Sequence, residues 1–533
     1  HFGSSSASRS CSASIARPPP CPALRLSLSL LFPMSLQLLQ CISWLLLTVV
    51  SASTLGMLSD ATSSDASSLC TSRPLCSNDG DALALVQSRL RASAAVAVDP
   101  TMCPPNGTVL AGKIDTDLHV AIGKCHLRNI LIKGSIVISG DASLTVDGEG
   151  NQVGGAITAE NSPGSTIKLS GVEVKEVKLS DAGNLEIGEG SKLGPIEVAR
   201  SGHITIVNSS AFGMKFVDSG NLTISNGASV GELEASGSGH VSIGGDAKVA
   251  AITASMCKGL VVDGGAHVAR EVEVSFIAQS VKLGHAALGG SLTVLTSPDA
   301  NIDIGAARVP EVLVSQAGNL AVGAGAELGS ITSKNAGDVI MSGSVGRDLN
   351  MEGSGNLTVT AGASLRNVVV KESGITQISQ NAAVSSVKTS MSWGLVISDN
   401  VTVKNEVEAL NNKGDILLQG STLGGPVSIV SSSGDISLVR ASVVAEGLFV
   451  EGGGGSLRMV AAAFPNLQVK GLKGDLTFAN MDANNLDLDG VQGRVVLEAV
   501  KSHGESIFSD IAGGIACISP ASTPGATPSS TSE

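Results

Sequence analysis

Hydrophobic residues recur along this chain in closely spaced pairs that are separated by one outward position. In the stretch 220–238, Leu222 and Ile224 flank Thr223, and this alternation is typical of a β-strand with one buried face. Corresponding pairs recur about 18 times across residues 167–497, with a mean period of about 19 residues. The pattern therefore predicts a repeated structure in which each unit supplies the same inward positions.

A second group of three hydrophobic residues follows each pair, about 8, 11 and 13 positions after its first member. After Leu185, for example, these residues are Leu193, Ile196 and Val198. Gly, Asn, Asp and Ser fill the intervals, and these residue types favour the backbone conformations that corners require. One unit therefore predicts two or three short strands that are separated by corners.

We predict an all-β fold, a single-stranded parallel β-helix (β-solenoid) of about 18 coils with disordered termini. A single unit cannot bury its own hydrophobic side, whereas stacked coils pair their backbones and align their inward side chains. The period of the pattern and the β-branched and Gly content argue against helices. A β-propeller needs about 40 residues per blade and usually carries aromatic motifs, but the chain has no Tyr and only two Trp.

The regular repeats occupy only part of the chain. The remaining residues fall into segments that differ in amino-acid composition. The apolar run 42–50 is too short to span a bilayer and fits the core of a secretory signal peptide. An exposed solenoid end is an unpaired sheet edge, so we expect a cap at each end. The predicted segments are a leader or untranslated-like segment (1–33), a signal peptide (34–53), a Ser/Ala-rich linker that could hold a short helix (54–102), an N-terminal cap with irregular first coils (103–165), the solenoid (166–500), a C-terminal cap (501–518) and a disordered Ser/Thr/Pro-rich tail (519–533).

The cysteines agree with export to an oxidising compartment. Six of them follow the predicted signal peptide, and an even number allows complete pairing in 15 ways. We favour a bond between Cys103 and Cys125 at the start of the ordered domain, and a local bond between Cys70 and Cys76. No C-x-x-C motif is present, so the sequence predicts no zinc site.

Five Asn-x-Ser/Thr sequons are candidate glycosylation sites in a secreted chain. They lie at Asn106, Asn208, Asn221, Asn356 and Asn400. Asn221 and Asn356 occupy the same position in their coils, directly after a corner Gly.

Composition and charge exclude several classes of function. A formal net charge of −13 and an absence of basic runs argue against a nucleic-acid partner, and no later stretch is predicted to span a membrane. Enzymes built on β-helices gather several charged side chains on one face, and no such cluster is evident. The acidic corners at Asp338, Asp415, Asp435 and Asp475 are better explained as turn caps. We therefore predict no catalytic residue, no cofactor and no metal.

The outward position inside each pair is chemically variable. A flat Thr array would indicate ice binding, but only Thr205, Thr223 and Ser242 are continuous. Ile340, Val396 and Leu417 are apolar at this outward position, so they either pack under loops or mark a face for a partner.

A cadence of Ser-Gly followed by alternating hydrophobic residues, as in 236–243 and 354–359, resembles autotransporter-adhesin head domains over roughly residues 164–500. The resemblance implies an extended surface or matrix protein, and it carries over no catalytic residue. We therefore expect a non-catalytic, secreted or cell-surface protein with a structural or adhesive role, whose partner is an extracellular protein or a polysaccharide. The alternative is a carbohydrate-binding or carbohydrate-modifying parallel β-helix protein.

Overall fold

The structure is a computed structural model that describes residues 102–104 and 106–518. It is organised by hydrogen bonds between successive coils of the chain. All of these residues belong to the unit Ala94–Glu533. They form an all-β parallel β-solenoid of about 22 turns of about 19 residues, which confirms the predicted fold class. Within the same residues, no helix is long and apolar enough to cross a membrane.

The described residues contain 46 strands. The first half of the chain order is β1 (Asn106–Ile114), β2 (Leu118–Val120), β3 (Lys124–Ile132), β4 (Ile136–Ser139), β5 (Ser143–Asp147), β6 (Asn151–Leu169), β7 (Val172–Ile187), β8 (Lys192–Ala199), β9 (Ile204–Val207), β10 (Ser210–Val217), β11 (Leu222–Ser225), β12 (Ser229–Ser236), β13 (His240–Ile243), β14 (Lys248–Ser255), β15 (Gly259–Val262), β16 (His267–Val268), β17 (Val272–Ser275), β18 (Ser280–Leu283), β19 (Ala287–Leu288), β20 (Ser291–Ser297), β21 (Asn301–Ile304), β22 (Arg308–Ala317) and β23 (Leu320–Val322). The second half is β24 (Glu327–Lys334), β25 (Val339–Ser342), β26 (Asp348–Glu352), β27 (Leu357–Thr360), β28 (Ser364–Lys371), β29 (Ile375–Ile378), β30 (Ala383–Ser390), β31 (Gly394–Ile397), β32 (Thr402–Leu410), β33 (Ile416–Gln419), β34 (Thr422–Leu423), β35 (Val427–Val430), β36 (Ile436–Val439), β37 (Ser442–Val443), β38 (Leu448–Glu451), β39 (Leu457–Val460), β40 (Ala463–Lys470), β41 (Leu476–Ala479), β42 (Asp482–Asp489), β43 (Val495–Glu498), β44 (Lys501–Ser502), β45 (Ser506–Ser509) and β46 (Ile515–Ile518).

Each regular coil contributes to three ladders of parallel strands. Ladder A contains β9, β11 and β13, in which Leu222 pairs with Ile204 on one side and Val241 on the other. Ladder B contains β16 and β19, and ladder C contains β17 and β20. Many strands, such as β10 and β12, bend through the corner between B and C and belong to both ladders. The three ladders correspond to the predicted pair and to the hydrophobic residues that follow it.

The inward side chains of the three ladders form one continuous hydrophobic core. Leu222 and Ile224 in ladder A are fully buried, as are the paired residues of almost every other coil. Thr376, the polar exception among the pairs, is also fully buried, and its hydroxyl has no hydrogen-bond partner among the described residues. Only Leu497, close to the C-terminal end, is half-buried. The predicted inward positions therefore account for the core.

A column of polar residues, most of them buried and here called the serine column, lines the corner between ladders C and A. The hydroxyl of Ser373 accepts a hydrogen bond from the Ser354 backbone N–H (3.2 Å) and donates one to the Lys371 carbonyl (2.7 Å). Both contacts recur in other coils, at Ser201, Ser219, Ser238, Ser297 and Ser354. The column therefore satisfies buried backbone groups at a corner where the strand ladders are interrupted.

The residues on either side of the serine column are constrained by the same corner. The preceding residue has a positive φ angle, which is 47° at Arg200, 48° at Asp218 and 50° at Glu372. The following residue is usually Gly because neighbouring coils approach closely there: a Cβ atom at Gly220, after Ser219, would lie only 2.8 Å from the carbonyl oxygen of Gly202. The corner therefore combines a left-handed residue, a buried hydroxyl and a glycine.

The two segments predicted as caps contain further coils. Strands β1 to β6 begin the ladders within 103–165, although with register shifts. Strands β44, β45 and β46 pair in parallel with β42 and β43, so residues 501–518 extend the solenoid where a cap was expected. These additional coils raise the count above the predicted 18. The predicted leader, signal peptide and tail, and almost all of the linker 54–102, lie outside the described residues.

Replacing Ser373 with Ala should lower the free energy of unfolding of this region by about 1–3 kcal/mol, because the buried Ser354 N–H loses its acceptor. Hydrogen exchange followed by mass spectrometry should show faster exchange at the Ser354 amide. Ser437→Ala, on the outward side of ladder A, is the matched control. Equal protection of the Ser354 amide in both variants would contradict a stabilising role for the serine column.

Candidate functional site

The corner that leads into ladder A carries one polar acceptor in most coils, and we call this set the acceptor row. The Asn184 Oδ1 accepts a hydrogen bond from the His203 backbone N–H (2.8 Å). The His203 Nδ1 in turn accepts one from the Asn221 N–H (2.9 Å), and the Asn221 Oδ1 accepts one from the His240 N–H (2.9 Å). Each side chain therefore caps the backbone of the next coil.

The four Gly-Asp corners belong to the acceptor row. The Asp338 Oδ1 accepts from the Asn356 N–H at 2.7 Å, and Asp415, Asp435 and Asp475 make the same contact with the next coil at 2.8–2.9 Å. These carboxylates cap turns, as the sequence predicts. Within residues 102–104 and 106–518, no group of three or more His, Cys, Asp or Glu side chains is arranged to hold a metal ion.

Four of the five sequon side chains are described, and all four are exposed. Asn221 and Asn356 stand in the acceptor row, where a glycan attached to Nδ2 would leave the Oδ1 contact in place. Asn208 and Asn400 lie at another corner with positive φ angles, and the Asn208 Nδ2 donates to Glu189 (3.1 Å). The side chain of Asn106, at the start of β1, lies outside the described residues.

A disulfide bond joins Cys103 to Cys125 and closes the start of the solenoid. Both cysteines are buried, and the Cys103 N–H donates to the His119 carbonyl (2.9 Å). The predicted bond between Cys70 and Cys76 lies outside the described residues. Of the remaining described cysteines, Cys517 is exposed and Cys257 is buried in the serine column, where burial raises the pKa of the thiol.

The structure only partly brings together the three residues of the predicted partner face. Val396 and Leu417 are half-buried and pair directly with each other in ladder A. Ile340 is exposed three coils away, and Thr358 and Gln377 stand between it and Val396. None of the three is buried under a loop. They are therefore members of one outward row and do not form a continuous apolar strip.

A groove of about 880 Å³ crosses ladder C at a place that sequence reasoning missed. Phe212, whose exposed fraction is 79%, stands at one side of it beside the small residue Gly231. The carboxylate of Glu232 contacts the guanidinium of Arg270 (2.6 Å), and Glu234 also lines the groove. Glu232 and Arg270 are 38 residues apart, so a fixed local motif could not have revealed their contact.

Several charged side chains on the outer faces form ion pairs between coils. Arg366 approaches Asp348 through two guanidinium nitrogens, and the Asn367 amide donates to the same carboxylate (2.6 Å). Arg366, with Asn367 adding to its effect, holds the pKa of Asp348 below its ordinary value. The Arg200 guanidinium likewise lowers the pKa of Asp181. These perturbed groups are members of ion pairs between neighbouring coils.

Comparison with known proteins gives one partial similarity. The family described as Toastrack DUF4097, which has a β-solenoid-like repeat fold, has a sequence model that matches residues 426–510. The matched segment contains strands from β35 to β45, so it covers the last regular coils of the described chain. No curated protein and no solved structure matches the chain. The similarity therefore agrees with the solenoid fold of this segment, and the resemblance to autotransporter adhesins remains a prediction.

The contact between Asp348 and Arg366 should stabilise the protein only while Asp348 is ionised. Because the pKa of Asp348 in the fold lies below its ordinary value of 3.8, the stabilisation is fully present above that pH and is lost as the pH falls through the lowered pKa. Arg366→Gln should therefore lower the melting temperature at neutral pH by no more than about 2 °C, and the difference should vanish in acid.

Thermal melts of the native protein and Arg366→Gln over a pH series provide the measurement. Arg458→Gln is the control, because Arg458 is on the outward row of ladder A and pairs there with Ser437 and Thr477. A difference in melting temperature between the native protein and Arg366→Gln that persists at a pH below the lowered pKa of Asp348 would contradict the ion-pair explanation.

Proposed function

We propose that this chain is a secreted structural or adhesive β-solenoid, non-catalytic, which presents extended faces to surface or matrix partners. One observation carries the proposal. Seven successive outward positions of ladder A bear no charge, and we call them the ladder A strip: Ala321, Ile340, Thr358, Gln377, Val396, Leu417 and Ser437.

The ladder A strip shares one property with interface centres, the absence of charge. Lys, Glu and Asp are depleted at the buried centres of protein interfaces, and the strip contains none of them. Seven coils span roughly 29 Å at a coil spacing of about 4.8 Å. Elsewhere in the same row, charges pair across coils, as Lys168 does with Glu186 (2.6 Å). The strip therefore differs from the solvated charged face that the row presents at its start.

Three further features support the proposal. The bond between Cys103 and Cys125 is of a kind that persists in oxidising compartments. The ladders hold outward residues at a fixed spacing, which suits attachment to an extended or repetitive partner. The cadence that resembles autotransporter-adhesin heads agrees with such a role.

Binding of the full-length protein to immobilised matrix proteins and glycans tests the proposal. The double variant Val396→Lys/Leu417→Lys places two charges at the centre of the strip and should weaken binding at least about tenfold, because the charges must be desolvated at the interface. The control is Thr205→Lys/Thr223→Lys, which changes the same row outside the strip. Equal loss of binding in both variants, or no binding by the native protein, would argue against an adhesive strip.

The groove beside Phe212 favours the second candidate, a carbohydrate-binding or carbohydrate-modifying solenoid. An exposed aromatic ring next to carboxylates and a guanidinium offers both stacking and hydrogen bonding to a sugar. A depolymerisation assay on a panel of polysaccharides separates the two candidates. Release of reducing ends by the native protein, but not by Glu234→Gln, would overturn the non-catalytic proposal. Glycan binding that Phe212→Ala abolishes, without product release, would assign a carbohydrate-binding role to the groove.

A further inference from the structure

We propose that the C-terminal end of the solenoid binds a second copy of this chain, with the two copies related by a two-fold axis. The C-terminal end is defined here as the last described coil, 501–518, which contains β44, β45 and β46. The interface is distinct from the ladder A strip and does not depend on the proposed function.

Inward positions that are buried in the preceding coil are exposed at the C-terminal end. Phe508 pairs with the fully buried Leu488, and Ile515 pairs with the fully buried Val495. The exposed fractions of Phe508 and Ile515 are nevertheless 40% and 45%. A depression of about 330 Å³ opens there, lined by Leu486, Leu497, Val500, Phe508, Cys517 and Ile518. Among the described residues, none covers the hydrophobic interior of the solenoid at this end.

The backbone at the C-terminal end also lacks partners on one side. Strands β44, β45 and β46 pair with β42 and β43, and no other strand in the described part of the chain pairs with their outer edges. Free strand edges bind further strands readily, because their N–H and C=O groups point outward in a regular array. A suitable occupant must therefore offer three strand edges and a hydrophobic centre together.

The 15 residues directly after this coil do not offer such an occupant. Residues 519–533 consist of Ser, Thr, Pro, Ala, Gly and one Glu, so they contain no large hydrophobic side chain that could fill the depression. Their three prolines also lack the N–H groups that strand pairing needs. This segment therefore matches neither the hydrophobic nor the backbone requirement.

A second copy meets both requirements. Its C-terminal end has the same cross-section, so one two-fold contact places strand edges against strand edges and Phe508 and Ile515 of both copies in a shared centre. The titratable side chains of this coil other than Cys517 are Lys501, His503, Glu505 and Asp510. With so few charges of mixed sign, the electrostatic repulsion between two copies is small. The 18 residues in 501–518 approach the roughly 20–30 residues that each side of a standard interface contributes. A two-fold contact also closes on itself and stops at a dimer.

Sedimentation velocity of the full-length chain over a wide concentration range tests the proposal, and we expect a reversible dimer. Phe508→Asp should raise the dissociation constant at least about tenfold, because the carboxylate would be buried in a hydrophobic centre. Met391→Asp is the matched control: its exposed fraction is 44%, and it lies at a corner with a φ of 53°, which Asp tolerates. This control should dimerise like the native chain.

A thiol cross-linking experiment on the unaltered fold gives a second readout in case Phe508→Asp disturbs the last coil. Cys517 is exposed at the C-terminal end, so a short bismaleimide should trap a covalent dimer that Cys517→Ser fails to form. In sedimentation, a monomer at every concentration or a dimer that is unaffected by Phe508→Asp would overturn the proposal. So would open-ended polymers in which the bismaleimide forms no cross-link through Cys517. Dimerisation that begins only when residues 519–533 are removed would also overturn it.

Discussion

In-register hydrogen bonding between neighbouring coils is the constraint on which the rest of this structure depends. Ladder A aligns each coil with the next so that inward residues stack on inward residues. Coil length varies, but the variation is confined to corners: Val281 and Ile302 are 21 residues apart and Ile302 and Leu320 are 18 residues apart, yet all three pair in one ladder. One extra residue within a strand would shift the register, so that the inward side chains beyond it would point outward.

The corner between ladders C and A shows how the chain turns without leaving backbone groups unsatisfied. A left-handed residue, a buried Ser, a close-packed Gly and an Asn, Asp or His acceptor follow one another, as they do at Arg200, Ser201, Gly202 and His203. This corner produces the Ser-Gly cadence that resembles adhesin heads. The cadence therefore reflects how the coils stack and carries no information about a ligand. Ligand binding depends on the residues at the outward positions.

The inward residues were predictable because a strand's alternation and a fixed period both appear directly in the sequence. Leu222 and Ile224, and the matching residues of other coils, form the core as expected. The serine column was missed, although its signal is present: Ser219, Ser354 and Ser373 each stand three positions before an inward residue. The sequence predicts a cap over 501–518, where the structure has one further coil, because the hydrophobic pattern of that segment is less regular.

The candidate sites were harder to predict because they depend on neighbours in space. Whether Ile340, Val396 and Leu417 form a continuous apolar surface is decided by the residues of the intervening coils, and Thr358 and Gln377 separate Ile340 from Val396. The groove beside Phe212 depends on a contact between Glu232 and Arg270, two coils apart. A period of about 19 residues specifies which positions point outward, but it places no restriction on their chemistry.

Distances between outward residues of ladder A test the stacked-coil account most directly. Seven pairing steps separate Thr223 from Thr358, and eleven separate Thr223 from Ser437. At about 4.8 Å per coil, pulsed electron paramagnetic resonance between spin labels at these sites should give separations of roughly 34 Å and 53 Å. Labels attached to encoded reactive side chains avoid the native cysteines. Separations that do not increase in proportion to the number of coils would contradict the account.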